Sequence, residues 1–252
     1  MTGAPMLEVE RVSKSFGALA ALADVSFSVR AGEVFSVIGP NGAGKSTLFN
    51  VITGLHAPSG GRIRFKGEEI TGLEPEIVNR RGLAKTFQIT NVFPGISVYD
   101  NVRVAAQSRA LVSGRIGSLW RRPEVDASVM ELLGAFGLEK RRDEQARNLS
   151  HGEQRYLEIC LALATEPTLL LLDEPTAGMT PGETKEATAL IRQIAQRREL
   201  TLLLIEHDMS VVMGISDRIA VLHFGQKIAE GPPDAIRSDP LVIDAYLGGA
   251  ED

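Results

Sequence analysis

The chain has 252 residues, of which 44 % are hydrophobic and 23 % are charged, and its formal net charge is −5. These values are typical of a globular protein with a well-buried core and do not suggest a disordered or fibrous chain. The acidic balance argues against nucleic-acid binding, because nucleic-acid-binding domains usually carry a basic excess. Short basic clusters such as Lys140 to Arg142 are interpreted as solvated helix ends.

Sequence features that would place the chain in a membrane are absent. No apolar stretch approaches the roughly 20 residues that a spanning helix needs. Met1 to Met6 lacks the basic and apolar regions of a signal peptide. We therefore expect a cytosolic chain that reaches a membrane only through partners. The single cysteine, Cys160, excludes an internal disulfide and in practice a zinc cluster, and we expect it to be a buried structural thiol.

The N-terminal part of the chain predicts strands followed by a strand, a loop and a helix. Leu7 to Val12 and Ala23 to Val29 alternate apolar and polar residues, as half-buried strands do. Glu33 to Ile38 is a short apolar run that leads into a glycine-rich turn. Apolar residues then recur at helical spacing: Leu48, Phe49, Val51, Ile52 and Leu55. This order is half of a βαβ unit.

The pattern changes to helices between about Asn91 and Ala164, where strand signals are absent. We interpret this stretch as a helical subdomain, residues 91–164, inserted into an α/β core with a β subdomain, residues 1–90 and 165–252. The loop-like segment Ser113 to Pro123 holds Trp120, for which local packing and a partner contact both stay open. The predicted helices are Val98 to Ala110, Val125 to Leu138 and Ser150 to Ala164.

Strands and helices alternate again in the last third of the chain. This alternation predicts a mostly parallel sheet that is covered on both faces. The predicted strands are Thr168 to Leu172, Leu200 to Ile205 and Arg218 to Phe224, and the predicted helices are Pro181 to Arg197 and Met209 to Ile215.

A phosphate-binding pattern, G-x-x-x-x-G-K-[ST], lies in the turn after the strand Glu33 to Ile38. Glycines let backbone N–H groups converge on a phosphate, and the following helix adds the positive end of its dipole. Lys45 adds a full charge for the β- and γ-phosphates, and the Ser46 hydroxyl is expected to bind Mg²⁺. The loop consists of Gly39, Pro40, Asn41, Gly42, Ala43, Gly44, Lys45, Ser46 and Thr47. We therefore expect nucleotide binding.

Two acids follow a buried strand and predict where a metal ion and the attacking water would bind in this site. Leu169 to Leu172 is followed directly by Asp173 and Glu174, which places both carboxylates at the edge where open α/β sheets bind ligands. Asp173 would hold Mg²⁺, with a water in between, and Glu174 would orient or deprotonate the water that attacks the γ-phosphate. Strand-ending acids at the surface are the structural alternative.

Two further residues are weaker candidates at the same edge. Gln88 ends the predicted strand Leu83 to Phe87, and its amide would contact the metal and signal the γ-phosphate to the helical subdomain. His207 follows the strand Leu200 to Ile205, and it would donate a hydrogen bond to the developing charge. The alternatives are an ordinary loop glutamine and a structural histidine.

A second anion-binding turn begins at Ser150. The sequence Leu149 to Gln154 predicts a helix start, because Ser150 followed by Glu153 fits a capping box. A serine, the glycine Gly152 and a helix N-terminus also make an anion site. One chain has no use for two such distant γ-phosphate sites, whereas a head-to-tail dimer does.

This arrangement resembles the ABC ATPase signature, usually Leu-Ser-Gly-Gly-Gln, and with the other motifs the resemblance spans essentially the whole chain. It implies an α/β fold: a P-loop NTPase (RecA-like) core, an N-terminal antiparallel β subdomain and an inserted helical subdomain. In that family, ATP lies between the phosphate loop of one subunit and the signature of the other, which here implies Ser150, Gly152 and Glu153 in trans. Phe16 matches the aromatic residue that stacks on adenine, with a core phenylalanine as the alternative.

Three positions depart from the family pattern. His151 replaces the first signature glycine, and Glu153 replaces the glutamine. Thr180 stands where an aspartate usually lies, which affects cross-dimer contacts. Ser150 and Gly152 are kept, so we expect function to survive.

The finer resemblance is to the ATPases of branched-chain amino acid (Liv-type) importers, on the segments Leu149 to Ile159, Ile205 to Asp217 and Asp239 to Gly248. It implies two ATPases, identical or different, held at the cytoplasmic face of the cell membrane by two transmembrane permeases, and an extracytoplasmic binding protein. Related subgroups handle urea, amides, aromatic acids or lipopolysaccharide export. A non-transport ABC ATPase or an ordinary P-loop kinase or GTPase is less well supported, because the first usually has two cassettes and the others have no use for Leu149 to Gln154.

Overall fold

The computed structural model describes residues 5–86, 92–112 and 123–247, with only the backbone for 109–112 and 247. The strands are β1 (Leu7–Phe16), β2 (Leu19–Val29), β3 (Val34–Ile38), β4 (Gly60–Phe65), β5 (Glu68–Glu69), β6 (Leu83–Lys85), β7 (Leu169–Asp173), β8 (Thr201–Ile205), β9 (Arg218–His223) and β10 (Gln226–Gly231). The helices are α1 (Lys45–Ile52), α2 (Pro75–Arg80), α3 (Val98–Val112), α4 (Pro123–Ala135), α5 (His151–Ala164), α6 (Pro181–Arg197), α7 (Met209–Ile215), α8 (Pro233–Arg237) and α9 (Pro240–Leu247).

The larger sheet positions the site. Over the described residues its strand order is β10-β9-β3-β8-β7-β6, and all neighbouring strands are parallel except the edge pair β9 and β10. Val37 of β3 and Asp173 of β7 both pair with Ile205 of β8, so the three strands end at the same edge. The segments after β3 and β7 therefore flank β8, about 10 Å apart, because neighbouring strands lie about 4.8 Å apart.

Both faces of this sheet are buried. In β7, Leu169 and Leu171 pack in one apolar cluster with β1, β2, β4 and α1, whereas Leu170 and Leu172 pack in another with α3, α4, α5 and α6. Successive strand residues point to opposite faces, so a strand covered on both sides needs a continuous apolar run. The four leucines of β7 are that run, and this explains why the sequence predicted the strand.

The smaller sheet, in the order β2-β1-β4-β5, is antiparallel. It covers the face of the larger sheet on which α1 lies and confirms the antiparallel β subdomain. The helical part is confirmed by the mutual packing of α3, α4 and α5 around Val102, Leu133 and Leu157. Cys160 is fully buried in that cluster, and burial raises the pKa of its thiol, as expected for a structural cysteine.

Several predicted ends need correction. The helix after the glycine-rich turn ends at Ile52, because Gly54 adopts a left-handed conformation (φ 80°), and Leu55 lies beyond it, 42 % exposed. The predicted helix Val125 to Leu138 begins at Pro123 and stops at Ala135, where Gly137 (φ 70°) ends it in the same way. By contrast, the predicted bounds of α6 and α7 are confirmed.

Some elements gave no signal in the sequence. β5 has two residues and α2 has six, which is too short for any periodicity to emerge. β4 opens with two glycines, and β10, α8 and α9 depend on packing against β9. β6 ends at Lys85, and the rest of the predicted strand, Phe87, lies outside the described residues. Within the part of the chain that the structure describes, no helix is long and apolar enough to cross a membrane.

Candidate active site

The loop Gly39 to Thr47 joins β3 to α1 and requires glycine at two close approaches. A Cβ at Gly39 would lie 2.1 Å from the carbonyl oxygen of Leu222, and one at Gly44 would lie 2.6 Å from that of Ala21. Gly44 is also the residue before α1, and it offers no side chain to cap the helix. The first N–H groups of α1 are therefore available to an anion, with the helix dipole behind them.

Lys45 is folded across the loop. Its Nζ donates hydrogen bonds to the carbonyl oxygens of Gly39, at 2.7 Å, and Pro40, at 3.0 Å, and the residue is only 8 % exposed. Burial lowers the pKa of the ammonium, and the carboxylates of Glu174 and Asp173 oppose that shift. The loop cation and the two acids therefore share one electrostatic environment.

Asp173 ends β7 as a buried carboxylate with one unused oxygen. Its Oδ2 lies 3.6 Å from the Nζ of Lys85, and its backbone N–H donates to the hydroxyl of Thr86. Its Oδ1 is buried and has no hydrogen-bond partner among the described residues. Burial raises the pKa of Asp173, and Lys85 opposes the shift. The unused oxygen and the exposed hydroxyl of Ser46 are hard oxygen donors, the kind of ligand that Mg²⁺ prefers.

Lys85 is a site residue that sequence reasoning missed. It is buried in β6, next to β7 in the sheet, and its Nζ also donates to Asn50 Oδ1 at 2.7 Å. Burial lowers the pKa of this lysine, while Asp173 opposes the shift. The available signal was a charged residue within an otherwise apolar strand, which is costly without a partner.

Glu174 adopts a left-handed backbone conformation, with φ at 50°. This conformation is unfavourable for a non-glycine residue and is most often retained at functional sites. Its N–H donates to the carbonyl oxygen of Ile205 at 2.9 Å, which holds the turn against β8. Its side chain is 25 % exposed, so the carboxylate can reach both solvent and the loop.

His207 faces Glu174 from the turn after β8. Its Nδ1 lies 3.7 Å from Glu174 Oε1, and its side chain is 61 % exposed. The preceding Glu206 is fully buried, and its Oε1 accepts hydrogen bonds from both the N–H and the hydroxyl of Thr176. Glu206 thereby joins the turn after β8 to the segment after Glu174. Sequence reasoning missed this role, although an acid directly after a buried strand was a signal.

Phe16 ends β1 with its ring 44 % exposed, so the alternative interpretation as a core phenylalanine is wrong. Lys14 Nζ lies 4.9 Å from the ring centroid, and His56 packs edge-on at 5.3 Å. The adenine-stacking role remains a prediction.

The second turn is built as the sequence predicted. Ser150 caps α5: the Glu153 N–H donates to Ser150 Oγ at 3.3 Å, and the Ser150 N–H donates to Glu153 Oε2 at 2.8 Å. The ring of His151 covers Gly178, where a Cβ would lie 3.1 Å from its Cε1. Thr180 caps α6 through Glu183 with a capping box of its own.

The structure thus brings together some predicted residues and leaves others apart. Lys45, Asp173, Glu174 and His207 share one edge of the sheet. Ser150 and Glu153 bond to each other, and Glu153 also pairs with Arg141 in the loop before α5. Gln88 and Trp120 lie outside the described residues, so their roles stay predictions.

Comparison with known proteins agrees with this geometry. Residues 22–177 match the family described as ABC transporter. That match covers more than half of the chain, and the chain belongs to the ABC transporter family, whose members hydrolyse ATP to power transport. Residues 226–252 match a second family, described as branched-chain amino acid ATP-binding cassette transporter.

The similar relatives extend over nearly the whole chain. It is 42 % identical to the high-affinity branched-chain amino acid transport ATP-binding protein LivG of Escherichia coli, over 98 % of this chain and 99 % of LivG. The same values hold for BraF of Pseudomonas aeruginosa. A probable LivG of Archaeoglobus fulgidus is 32 % identical over 98 % of this chain and 96 % of its own length.

Solved structures give the same fold. A nucleotide-free ATP-binding cassette from an ABC transporter superposes with a TM-score of 0.84 at 32 % identity, covering 96 % of this chain and 99 % of that one. An ADP-bound cassette of an ABC transporter gives a TM-score of 0.85 at 32 % identity, covering 97 % and 99 %. A dimeric cassette is only 24 % identical, with a TM-score of 0.79 over 90 % of this chain and 99 % of that one, so it supports the fold alone.

Proposed function

We propose that this chain is the ATP-hydrolysing subunit of a transporter that imports branched-chain or related amino acids. The observation that carries the proposal is the combination of two separate turns. One is the sheet edge where Lys45 of the phosphate loop lies near the carboxylates of Asp173 and Glu174. The other is the capped turn at Ser150, at the start of α5. A single chain hydrolysing ATP alone needs only the first.

ATP binding follows from the phosphate loop. The N–H groups from Gly42 to Thr47 surround the phosphates, and Lys45 exchanges its hydrogen bonds to Gly39 and Pro40 for the β- and γ-phosphate oxygens. The exposed ring of Phe16 stacks on adenine, which contributes about 1–3 kcal/mol for an aromatic–base contact.

Ser46, Gln88 and Asp173 would hold Mg²⁺, with a water between Asp173 and the metal. When bound, Mg²⁺ neutralises charge that develops on the phosphates. The unused buried oxygen of Asp173 supports this assignment, because an unsatisfied buried carboxylate oxygen is costly. Lys85 keeps Asp173 in place and reduces the cost of its ionisation.

Glu174 acts as the base. It accepts a proton from the attacking water while the water oxygen bonds to the γ-phosphorus and the bond to the bridging β–γ oxygen breaks. His207, 3.7 Å away, donates a hydrogen bond to the γ-phosphate as charge develops. General-base catalysis of this kind contributes about 10²- to 10⁴-fold in rate.

The second turn acts on the ATP of a facing subunit. We propose that Ser150, Gly152 and Glu153 contact the γ-phosphate in trans, so that two subunits close over two nucleotides. The exposed position of Ser150 at the N-terminus of α5 supports this role. The second ATPase is this chain again or a sister subunit, and the contacts made only in the closed state drive the change.

The membrane partners would dock beside the helical subdomain, residues 91–164, at the cytoplasmic face. A cavity of about 730 Å³ lies between α2, the start of β6 and the loop before β7, with Ser108 of α3 on its wall. Lys85 lines this cavity and pairs with Asp173, so a short permease helix seated there would be mechanically connected to Asp173. An extracytoplasmic solute-binding protein would deliver the amino acid to the two permeases.

Reconstitution tests the whole proposal. The chain is co-expressed with its two permeases, and ATP-dependent uptake of labelled leucine is measured in membrane vesicles supplied with the binding protein. We expect the chain to co-purify with the permeases and uptake to stop in Glu174→Gln. Uptake of urea or an aromatic acid instead would overturn only the substrate. ATP hydrolysis that does not change when the permeases, the binding protein and leucine are added would overturn the transport role.

A further inference from the structure

The N-terminus of α5 carries an acid where the family usually has glutamine. Glu153 Oε2 accepts a hydrogen bond from the Ser150 N–H at 2.8 Å, which fixes the carboxylate beside the serine. This backbone hydrogen bond, together with Arg141, holds the pKa of Glu153 below its usual range, so the residue is ionised at neutral pH. A fixed negative charge at this point opposes the approach of a phosphate.

Arg141 supplies the opposite charge. Its Nε lies 3.3 Å from Glu153 Oε1, and its side chain is 46 % exposed. It stands at the end of the 3₁₀ turn Glu139–Arg141, between α4 and α5. The two oxygens of Glu153 therefore have separate partners: Oε2 completes the capping box, and Oε1 meets the guanidinium. Pairing with Arg141 neutralises Glu153 without disturbing the cap.

We propose that Arg141 is a positioning residue of the nucleotide site, which neutralises Glu153 so that the Ser150 turn can accept the γ-phosphate bound by the facing subunit. The inference rests on the proposed function. Arg141, Glu144 and Glu153 together carry one net negative charge, whereas the two acids without Arg141 would carry two.

The same loop provides a matched control. Arg142 is the next residue after Arg141, pairs with Asp143 at 3.2 Å and is 51 % exposed. Its removal therefore tests for a general charge effect. Glu144 is unsuitable as a control because it shares Arg141 with Glu153, with its two carboxylate oxygens 2.9 and 3.1 Å from Arg141 Nη1.

The experiment is steady-state ATP hydrolysis by the purified full chain with Mg²⁺ and ATP. The variants are Arg141→Gln, Glu153→Gln and the double substitution, with Arg142→Gln as the control. We expect Arg141→Gln to lower kcat/KM about fivefold or more at low salt, because the uncompensated charge becomes sheltered in the closed dimer. The loss of kcat/KM should become smaller as the salt concentration rises, because salt screens exposed charges. The double variant should return to within about twofold of Glu153→Gln, and Arg142→Gln should stay near the parent chain.

Each outcome decides the proposal. An unchanged rate in Arg141→Gln overturns it, as does a double variant that remains as impaired as Arg141→Gln. A folding defect cannot imitate the expected result, because removing the Glu153 charge would not repair it, and thermal melting of each variant checks this directly. If Glu174→Gln fails to abolish ATP hydrolysis, the proposed function is contradicted, and this result is distinct from the two that overturn the role of Arg141.

Discussion

The two turns that we assign to the phosphates are built in opposite ways. At the sheet edge, Lys45 and Asp173 are 8 % and 3 % exposed and are held by neighbouring strands. At the start of α5, Ser150 and His151 are exposed and are held by local caps and one ion pair. The first turn is assembled within one chain before any ligand binds, whereas the second presents hydrogen-bond donors to solvent.

This difference indicates where a second subunit is needed. Buried charges are costly, so the fold must fix the catalytic edge by contacts within the chain, such as Lys85 with Asp173. An exposed helix N-terminus costs little while solvated, and it gains most when a facing surface excludes water. The comparison therefore predicts that substitutions at the edge impair chemistry or folding, whereas substitutions at the α5 turn impair assembly.

The largest effect is expected at Glu174. Glu174→Gln should lower turnover by at least about 10²-fold, because the base is lost while the loop and Lys45 stay in place. Phosphate release and nucleotide binding are measured side by side, and binding should persist. Glu186→Gln, on the exposed side of α6, is the control and should behave like the parent chain. Turnover that survives the Glu174 substitution would remove this residue from its role.

The next effect concerns stability at the edge. Lys85→Met should destabilise the nucleotide-free protein at neutral pH, by up to about 3 kcal/mol, because it leaves a buried carboxylate unpaired. The folded-state pKa of Asp173 is already raised above its unfolded value, and this substitution raises it further. The contribution of Asp173 to stability is then present at low pH, where Asp173 is protonated, and is lost as pH rises through its folded pKa.

Urea unfolding of Lys85→Met at several pH values between 5 and 8 measures this loss. The difference from the parent chain should widen as pH rises. A difference independent of pH would show that Lys85 contributes only packing.

At the α5 turn, Ser150→Ala should reduce turnover about tenfold and leave nucleotide binding to the single chain unchanged. Losing the cap also costs about 1 kcal/mol of stability. Thr180→Ala removes the equivalent cap of α6 and calibrates that cost. The melting temperature should fall by a similar amount in both variants, but turnover should fall further in Ser150→Ala. Equal losses of turnover would make Ser150 a structural cap only.

The smallest effect is expected at Phe16, the residue that we assign to the adenine of ATP. Phe16→Ala should weaken ATP binding several-fold, because one aromatic–base stack contributes about 1–3 kcal/mol. Phe224 is a suitable control, since it is another surface phenylalanine, 80 % exposed. Titration with a fluorescent ATP analogue measures both variants. Equal weakening in Phe224→Ala, or none in Phe16→Ala, would contradict the assignment.

Features that depend on short-range interactions could be predicted from the residues alone. Glycine spacing predicted the loop Gly39 to Thr47, and an apolar run followed by acids predicted β7 and Asp173. Ser150 with Glu153 predicted the cap of α5. Each signal lies within a few residues along the chain, where backbone conformation and helix capping operate.

Contacts between side chains that are distant in sequence depend on how the strands and loops are arranged in space. Lys85 reaches Asp173 because β6 pairs with β7, and Glu206 reaches Thr176 because β8 pairs with β7 on its other side. Arg141 reaches Glu153 across the turns that precede α5. The order of the strands and the paths of the loops determine these contacts. Neither produces a periodic pattern in the sequence around these residues, so the contacts could not be predicted from it.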